Sequence, residues 1–400
     1  MAAADATLQQ LAPRYLHELA DRYDAGTFEP EERRARVRMG VEGVGEWDVV
    51  LEGGTARITT ARGGAGALIR ARPATWERIA ADPQDGLGEF RAGRLSVRRN
   101  MHLGIGLLAA TSGRSGPSRL RFEMVRTRGG RISTIQAGSG EPLVAIHGLG
   151  GTKGSFLPTV AELAPHFRVI AADLPGFGDS AKPLRAAYDP AYFARSILAL
   201  MDELGLERAH LVGNSLGGRV AIELGMSHPE RAGRLVLLCP ALASRRERPL
   251  TALMRLTRPE LGLVQITPRP LVEAIVRRVI PGAEQGWTAA GVDEFLRAYL
   301  SPAGRAAFYA AARHIYIDEP HGPRGFWPRL AELQAESLFV WGQRDRLVPI
   351  AFARHVEQAL PGARHLELDC GHVPQIERPR RTHSAMREFL QAPGAGRIDE

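Results

Sequence analysis

The order of hydrophobic and polar positions divides the chain into two parts. Up to about residue 110, short runs of alternating polarity are separated by the glycine pairs Gly53-Gly54 and Gly63-Gly64 and followed by helical patterns. From residue 121, short apolar runs alternate with longer amphipathic segments, which predicts a mostly parallel sheet with crossover helices. The predicted organisation is a smaller α+β domain at 1–110, a flexible polar linker at 111–118, an α/β domain at 119–391 and a frayed tail at 392–400.

The first part predicts a small sheet with helices. Apolar positions at helical spacing continue past Pro13, which we interpret as the start of a new helix. Three strands follow, 46–52, 55–61 and 65–71, and their glycine connections predict an antiparallel meander. A helix near 73–80, a strand near 94–99 and the apolar helix 101–110 complete the domain, and this last helix is too short to cross a bilayer.

Particular residues of this first part resemble a known family. Trp47 on a strand, the pair Thr75-Trp76 and the segment 90–97, FRAGRLSV, are similar to the sterol carrier protein family of lipid-transfer domains, over roughly residues 5–110. The resemblance implies a tunnel that holds a fatty acid or a sterol. The alternative is that these apolar residues form an ordinary core.

The second part predicts eight strands, several of them nearly continuous apolar runs of the kind that is covered on both faces. Arg- and Leu-rich helical patterns with several prolines interrupt this domain at about 240–332. The predicted strands span 121–127, 131–137, 142–147, 167–172, 208–213, 234–239, 337–342 and 363–369.

A GxSxG sequence directly follows the fifth of these strands and leads into a helix. Ser215 stands between Gly213 and Gly217, and a serine on such a sharp turn needs neighbours without side chains that would clash. Its hydroxyl would project from the carboxyl edge of the sheet, beside a helix N-terminus that favours developing negative charge. We therefore interpret Ser215 as a nucleophile.

A serine hydroxyl needs a base, and the base needs an acid to orient it. In the chain order serine, acid, histidine, Asp345 follows the seventh strand and His372 follows the eighth. Asp369 is a weaker alternative for the acid, because it closes a strand and is better suited to fixing the loop. The remaining histidines of this part are interpreted as surface or packing residues, without the spacing of a metal site: His314, His321, His355, His365 and His383.

Two backbone amides are expected to stabilise the oxyanion. One is that of Leu216, directly after the nucleophile, and the other is that of Leu149 in the loop after the third strand. In that loop Gly148 allows the backbone to approach the substrate, and His147 is interpreted as structural. The glycine-rich segment 173–180 is interpreted as a structural turn at the same edge of the sheet.

These motifs together resemble the α/β-hydrolase family over about residues 120–391. The resemblance implies a triad of Ser215, Asp345 and His372, and a helical cap formed by 240–332 over the pocket. The segments GNSLGG, WGQRDRLVP and CGHVPQIERP are similar to a branch that holds monoacylglycerol-lipase-like esterases and carbon–carbon hydrolases of aromatic ring-fission products. Those carbon–carbon hydrolases usually carry Trp after the histidine, where this chain has Val373.

Charge and cysteine content narrow the function classes. The net charge of +8 is diffuse, and the arginines alternate with acids and do not form a stripe with interleaved aromatics, so no nucleic-acid partner is predicted. Two distant cysteines, Cys239 and Cys370, support neither a disulfide framework nor a CxxC metal site. The chain shows neither a secretory leader nor a membrane segment, and we predict a cytoplasmic protein.

The sequence thus predicts a serine hydrolase of carboxylic esters with an apolar acyl group, acting through an acyl-enzyme without cofactor or metal. Its expected partners are a small ester or lipid substrate and a fatty acid or sterol in the N-terminal domain. Two alternatives stay open. One is hydrolysis of a carbon–carbon bond in a ring-fission-type diketone, and the other is a catalytically silent lipid-binding or sensing protein.

Overall fold

The structure is a computed structural model, which describes residues 12–32, 34–82, 86–112, 119–243, 285–317 and 321–392 and four single positions between 268 and 274. The chain divides into two compact units. Unit 1 comprises 1–123, 135–137 and 283–297, and unit 2 comprises 124–134, 138–282 and 298–400.

Unit 1 is built on a five-stranded sheet. Its strands are β1 (Arg34–Val41), β2 (Gly45–Glu52), β3 (Thr55–Thr60), β4 (Ala67–Ala71) and β5 (Leu95–Arg98), in the spatial order β3-β2-β1-β4-β5.

The predicted three-stranded meander is wrong in part. The pair β2 and β3 is antiparallel as expected, but β4 pairs with β1 in a parallel register that matches Val37 with Ala67. Strand β1 was not predicted, because its arginines obscure the alternation in which Val37 and Met39 face the core. A sheet neighbour that is distant in sequence cannot be identified from glycine turns alone.

Three of the four N-terminal helices lie at or close to the predicted positions, and Pro13 is the N-cap of the first of them. The short helix at Gly86–Arg91 was not predicted. Trp76 is fully buried, and its indole nitrogen donates to the Gly40 carbonyl at 3.0 Å. The last helix is buried at every position except His102, in keeping with its otherwise apolar sequence. These helices are α1 (Arg14–Asp21), α2 (Pro73–Ala81), α3 (Gly86–Arg91) and α4 (Met101–Ala110).

An eight-stranded sheet follows, and each predicted strand has a counterpart in it. The strands are β6 (Arg121–Thr127), β7 (Gly130–Ala137), β8 (Pro142–Ile146), β9 (Arg168–Ala172), β10 (Ala209–Asn214), β11 (Ala232–Leu238), β12 (Ser337–Gly342) and β13 (Arg364–Leu368). Their spatial order is β13-β12-β11-β10-β8-β9-β7-β6.

The centre of this sheet is parallel and apolar on both faces. Strand β8 pairs in parallel with β9 on one side and with β10 on the other. Successive residues Leu143, Val144 and Ala145 are all fully buried, which explains the absence of a period-2 pattern in these strands. The carboxyl ends of β8, β10, β12 and β13 therefore meet along one edge of the sheet.

The helices from residue 157 onwards mostly follow individual strands. They are α5 (Leu157–Leu163), α6 (Pro190–Glu203), α7 (Leu216–Ser227), α8 (Gln285–Tyr299), α9 (Pro302–Ile317), α10 (Phe326–Leu330), α11 (Ala353–Ala359), α12 (Pro374–Glu377) and α13 (Pro379–Gln391), with 3₁₀ turns at Lys153–Phe156 and Ile350–Phe352. Helices α8, α9 and α10 lie in the predicted cap region, of which 318–320 and, apart from four single positions, 244–284 fall outside the described residues. Among the described helices, none has the length and apolar character needed to traverse a bilayer.

Candidate active site

Ser215 lies at the turn between β10 and α7 in a backbone conformation that side chains rarely adopt. Its φ is 53° and its ψ is −114°. Hydrogen bonds fix this conformation from both sides, because the Ser215 amide donates to the Leu238 carbonyl at 3.0 Å and its own carbonyl accepts from the amide of Ala241 at 2.9 Å. Strain maintained in this way is typical of a functional position.

The two glycines of the motif have a direct steric reason. A Cβ atom on Gly213 would lie 2.3 Å from the Gly217 carbonyl, and one on Gly217 would lie 1.9 Å from the Ile146 carbonyl oxygen. Both distances are far below van der Waals contact with backbone atoms that cannot move aside. The sharp turn that exposes Ser215 therefore requires glycine at both positions.

The loop after β8 passes directly beside this turn. A Cβ atom on Gly148 would lie 3.1 Å from the Ser215 Cβ, so only a glycine backbone comes this close without displacing its neighbour. The next amide in the loop is that of Leu149, and the amide of Leu216 begins α7. In the part of the chain that the structure describes, neither amide donates to another backbone group. Both are therefore available to an external acceptor.

His147 holds this loop in place, as its predicted structural role requires. Its Nδ1 lies 2.7 Å from the Gly148 carbonyl, and its Nε2 accepts from the Leu174 amide at 2.9 Å. The acceptor role of Nε2 assigns the proton to Nδ1, which donates to Gly148. Burial lowers the pKa of His147, which is consistent with this neutral form.

The predicted acid and base are in contact. Asp345 follows β12, His372 follows β13, and the imidazole Nδ1 lies 2.7 Å from the Asp345 Oδ2. The side chains are 0% and 6% exposed respectively, so the pair is shielded from water. A buried carboxylate at this distance fixes the imidazole tautomer, with the second nitrogen left to act as a base.

Asp345 is itself held by the loop in which it lies. Its Oδ1 accepts from the amides of Leu347 at 2.8 Å and Val348 at 3.0 Å. Burial alone would raise the pKa of the Asp345 carboxyl, but the hydrogen bond from His372 and these two amides outweigh it and keep the pKa below its usual value. The carboxylate is therefore ionised at neutral pH.

Two residues to which sequence reasoning gave no role fix the loop that carries His372. The Glu377 carboxylate accepts from the amides of Gly371 at 2.8 Å and Val373 at 3.0 Å, on either side of the histidine. The Asn214 side chain donates to the His372 carbonyl at 3.0 Å and to the Leu238 carbonyl at 3.0 Å. Asn214 directly precedes the serine, so it joins the two halves of the site. Both residues lie within the motifs GNSLGG and CGHVPQIERP, but the sequence does not show which groups they bind.

The second nitrogen of His372 is buried and makes no hydrogen bond to any described residue. The hydroxyl of Ser215 is therefore not hydrogen-bonded to it in this structure. Catalytic hydrogen bonds are often long or misaligned in proteins without substrate and shorten in the complex. The Asn214 bond nevertheless places the His372 backbone next to the turn that carries Ser215.

Within the described residues, one group combines metal-ligating side chains. Cys239, Asp345 and His372 bring one ligand atom each within 4.8 Å of one another. However, the carboxylate and the imidazole are already hydrogen-bonded to each other, and burial raises the pKa of the Cys239 thiol well above its ordinary value. A metal would need the thiolate, so the arrangement suits an acid–base pair better than a metal centre.

The segment after β9 forms the neighbouring rim of the site. Asp173 is fully buried, Phe177 is 2% exposed, and the Phe177 ring lies edge-on to His147 with centroids 5.6 Å apart. A Cβ on Gly176 would lie 2.6 Å from the Cβ of Ala307, so helix α9 packs against this segment. The buried Lys153 that contacts Asp173 was not singled out from the sequence.

The weaker candidates occupy other positions. Asp369 is exposed and forms an ion pair with Arg344 at 2.9 Å, which fixes the loop as expected. His365 stacks on Trp341 and accepts its indole hydrogen at 2.9 Å, and His383 is buried 3.0 Å from Thr159. Neither histidine belongs to the metal-ligating group found among the described residues.

Comparison with known proteins identifies the family. A family model described as alpha/beta hydrolase fold matches residues 141–379. The chain is 30% identical to a 2-hydroxy-6-oxo-6-phenylhexa-2,4-dienoate hydrolase of Comamonas testosteroni, over 64% of this chain and 90% of that one. It is 28% identical to a 2-hydroxy-6-oxononadienedioate/2-hydroxy-6-oxononatrienedioate hydrolase of the same species, over 65% and 91%.

A solved structure extends the likeness. The crystal structure of a membrane phospholipase A, described as a bacterial virulence factor, matches with a TM-score of 0.60 at 26% identity, over 79% of this chain and 96% of that one. The family model covers more than half of the chain and includes the loop after β8, the serine turn and the positions of Asp345 and His372. The chain belongs to the α/β-hydrolase fold family.

Proposed function

We propose that the protein is a serine hydrolase of carboxylic esters with an apolar acyl group. The observation that carries the proposal is the combination of Ser215 at φ 53° on the strand-to-helix turn with a buried Asp345–His372 pair at 2.7 Å. The first supplies a constrained and partly exposed nucleophile, and the second supplies an oriented base. Both belong to unit 2.

In the proposed reaction, the Ser215 hydroxyl attacks the ester carbonyl while His372 Nε2 takes its proton. Asp345 stabilises the resulting imidazolium without accepting the proton itself. The amides of Leu149 and Leu216 donate to the developing oxyanion, and one such donor is typically worth about 10²–10³ in kcat. The imidazolium then returns the proton to the leaving alcohol.

The second half of the cycle uses the same groups. His372 takes a proton from water as the water attacks the acyl-enzyme, and the carboxylic acid leaves when the proton returns to Ser215. In each half of the cycle, His372 takes up one proton and gives it up again, so that the pair of His372 and Asp345 ends in the state in which it began. The proposal therefore calls for neither a metal nor an organic cofactor.

Two observations support an ester with an apolar acyl group. The membrane phospholipase A that resembles this chain is 26% identical to it, over 96% of the phospholipase chain. In addition, Val373 stands after the histidine, where ring-fission-product hydrolases usually carry Trp. A buried valine, 6% exposed, leaves no aromatic surface at that position.

Hydrolysis of a carbon–carbon bond is the second candidate. The observation that favours it is the identity of 28–30% to curated hydrolases named for dienoate ring-fission products. The same serine, imidazole and oxyanion donors would serve this reaction.

We further propose that unit 1 holds the apolar part of a lipid, such as a fatty acid or a sterol. Its support is the sterol-carrier-like sequence around Trp47 and Trp76, together with helix α4, which is apolar apart from His102. The domain boundaries stay predictions: a lipid-binding domain at 1–110, a linker at 111–118, and a hydrolase domain at 119–391 with a cap at about 240–332. A cytoplasmic location and the absence of a nucleic-acid partner likewise stay predictions.

A substrate comparison on the full chain tests the proposed function. Esters of short, medium and long saturated acids are compared with the phenylhexadienoate substrate named for the curated relative. The ester proposal predicts a larger kcat/KM for one of the esters, and this activity is lost in Ser215→Ala. Preferred cleavage of the dienoate would establish the second candidate. Turnover of neither class, with Ser215 inert to a fluorophosphonate, would indicate the silent lipid-binding alternative.

A further inference from the structure

A fully buried lysine lies next to the loop that carries the Leu149 amide. Lys153 is only 2% exposed, although a lysine is rarely found inside a protein unless it is paired. Its Nζ lies 2.6 Å from the Asp173 Oδ2 and 2.8 Å from the Asp179 Oδ2. No step of the proposed reaction uses this cluster.

Asp173 is the centre of the cluster and contacts the loop through the backbone as well. Its Oδ1 accepts from the Lys153 amide at 2.7 Å, and its Oδ2 accepts from the Asp179 amide at 2.9 Å. Gly178 makes this possible, since a Cβ there would lie 2.1 Å from the carboxylate. The loop after β8 and the loop after β9 are thus fastened together by charged and neutral hydrogen bonds.

The oxyanion loop is anchored at both ends to one short segment. At its beginning, the His147 ring accepts from the Leu174 amide, and at its end Lys153 is held by Asp173. Between the anchors, the Gly148 carbonyl accepts from His147 Nδ1 and from the Gly151 amide at 3.0 Å. A peptide unit is planar and trans, so fixing this carbonyl also fixes the opposite direction of the Leu149 N–H.

We propose that Lys153 and Asp173 are positioning residues that set the direction of the Leu149 amide and thereby preorganise the oxyanion hole. This inference deepens the proposed function and rests on it. Lys153 itself does not touch the substrate. It acts by holding the loop so that the amide needs no reorganisation when negative charge develops.

Electrostatics favour an ionised cluster. Burial alone would lower the pKa of Lys153, but Asp173 and Asp179 outweigh it and the net direction is upwards. Burial would raise the pKa of Asp173, but the lysine charge outweighs it and the net direction is downwards. A fully charged, desolvated cluster resists distortion, because moving one member leaves an unpaired charge behind.

The test is a graded series of variants in the full chain: Asp173→Asn, Lys153→Met and Asp179→Asn. For each variant, kcat and KM are measured on the preferred substrate, and the concentration of active sites is determined by titration with a fluorophosphonate. The affinity for an alkyl boronic acid is measured separately. The boronate forms an anionic tetrahedral adduct on the serine and therefore reports on the oxyanion hole. Counting titrated sites removes any effect of misfolded protein.

We expect Asp173→Asn and Lys153→Met to lower kcat by on the order of 10²-fold, the effect of losing one oxyanion donor, with a change in KM below about threefold. Boronate affinity falls in parallel, and the pH dependence of kcat keeps its midpoint. Asp179→Asn has a smaller effect, because Lys153 keeps its bond to Asp173. If Lys153→Met does not fold, the two aspartate variants test the proposal, which predicts a larger loss of kcat in Asp173→Asn than in Asp179→Asn.

A matched control is Arg329→Met, which breaks an ion pair with the buried Glu223 in the same unit. Glu223 lies about two turns along α7 from the serine turn, and the control is expected to keep its kcat per titrated site. The positioning role is refuted if Asp173→Asn and Lys153→Met keep kcat and boronate affinity within about threefold of wild type. A wild-type protein that neither turns over an ester nor binds the label refutes the proposed function itself.

Discussion

At the scale of single residues, the site depends on places where the backbone approaches itself more closely than a side chain allows. Gly148, Gly213 and Gly217 are all such positions, but they differ in what an added methyl group would meet. At Gly148 it meets the Ser215 side chain, whereas at Gly217 it meets the backbone of β8. Substitution should therefore affect activity at the first position and folding at the second.

Gly148→Ala tests the first of these effects. The added Cβ would lie 3.1 Å from the Ser215 Cβ and 3.3 Å from the Asn214 carbonyl oxygen, so the loop must move by a few tenths of an ångström. We expect a loss of kcat/KM of roughly tenfold, because positioning errors of this size matter in catalysis, with little change in Tm. Ester kinetics and thermal unfolding measure the two quantities.

The control for this variant is Gly362→Ala, at an exposed turn where an added Cβ meets nothing within 4 Å. It should leave both quantities unchanged. A Gly148→Ala protein with full activity would show that the loop does not constrain the serine.

The Lys153 cluster predicts a pH dependence of stability. The folded-state pKa of Asp173 is lowered, so its ionised form stabilises the wild-type protein above the unfolded pKa of about 4, and this contribution is lost as the pH falls through the lower folded value. In Lys153→Met, Asp173 is buried without the cation, which raises its folded-state pKa. Its ionised form then destabilises the folded protein. His147 also faces Asp173, and burial lowers the pKa of His147, which favours its neutral form.

The free energy of unfolding should therefore differ least between wild type and Lys153→Met near pH 3, and the gap should widen between about pH 4 and pH 7. Urea titrations at several pH values measure it. A gap independent of pH would mean that the charges of the cluster do not contribute to stability.

At the scale of secondary-structure elements, the site is assembled from four strand ends on one sheet edge. Strands β8, β10, β12 and β13 each contribute one loop, and side chains from one loop fix the backbone of the next. Asn214 at the end of β10 is an example, since it donates to a carbonyl after β13 and to one at the end of β11. Such cross-connections hold the imidazole near the serine turn.

Asn214→Ala should loosen the loop that carries His372. Removing the amide takes a donor from the buried His372 carbonyl and leaves the Leu238 carbonyl with the Ser215 amide. We expect a loss of stability of about 1–3 kcal/mol together with a fall in kcat of roughly tenfold. Hydrogen exchange at Gly371 to Val373, combined with kinetics, measures both effects.

A matched control is Thr382→Val, which removes one buried hydrogen bond from a side chain to the Pro374 carbonyl, 2.9 Å long. It should lose comparable stability without the fall in kcat per titrated site. Equal kinetic losses in both variants would contradict a specific role for Asn214.

The sequence predicted these elements to different degrees, for physical reasons. The eight strands of the second part were readable because burial on both faces leaves uninterrupted apolar runs, and the serine turn was readable because its glycines are close in sequence. Strand β1 was missed although Val37, Met39 and Val41 stand at alternate positions, because Arg34, Arg36 and Arg38 obscured the pattern. The partner of β4 was unreadable, because a parallel pairing leaves no local turn signal.

The same distinction applies within the site. Ser215, Asp345 and His372 lie in recognisable strand-end contexts, and the contact between the last two follows the expected geometry. The contributions of Lys153, Asn214 and Glu377 depend on distant partners that only the folded chain brings together. The Lys153→Met and Asn214→Ala variants test whether the first two position the site for catalysis.

At the scale of the whole molecule, unit 1 includes a segment that lies far along the chain. Residues 283–297, which contain most of helix α8, belong to this unit together with the N-terminal sheet. Asp293 accepts from the Arg98 Nε and from the Arg99 amide, both at 2.7 Å, and Glu294 accepts from the Met101 amide at 2.6 Å. Two buried carboxylates thus bind at the start of helix α4, where the helix dipole favours negative charge.

Asp293→Ala should therefore destabilise unit 1. The Arg99 amide and the Arg98 guanidinium lose their shared acceptor, with an expected cost of about 1–3 kcal/mol. Hydrogen exchange should increase in 285–297 and at the start of α4, as measured by mass spectrometry on the full chain. The control is Glu18→Ala, which removes an exposed ion pair with Arg14 and should change stability by less than about 1 kcal/mol. Unchanged exchange in Asp293→Ala would show that these contacts do not hold the segment.

The most direct measurement of the central claim is peptide mapping of the intact protein after reaction with a fluorophosphonate, in parallel with ester turnover. The account predicts a single adduct on Ser215 in the wild-type protein, a strongly slowed reaction in His372→Ala, and neither adduct nor turnover in a folded Ser215→Ala protein. An adduct on a different residue, or undiminished ester turnover by Ser215→Ala, would contradict it.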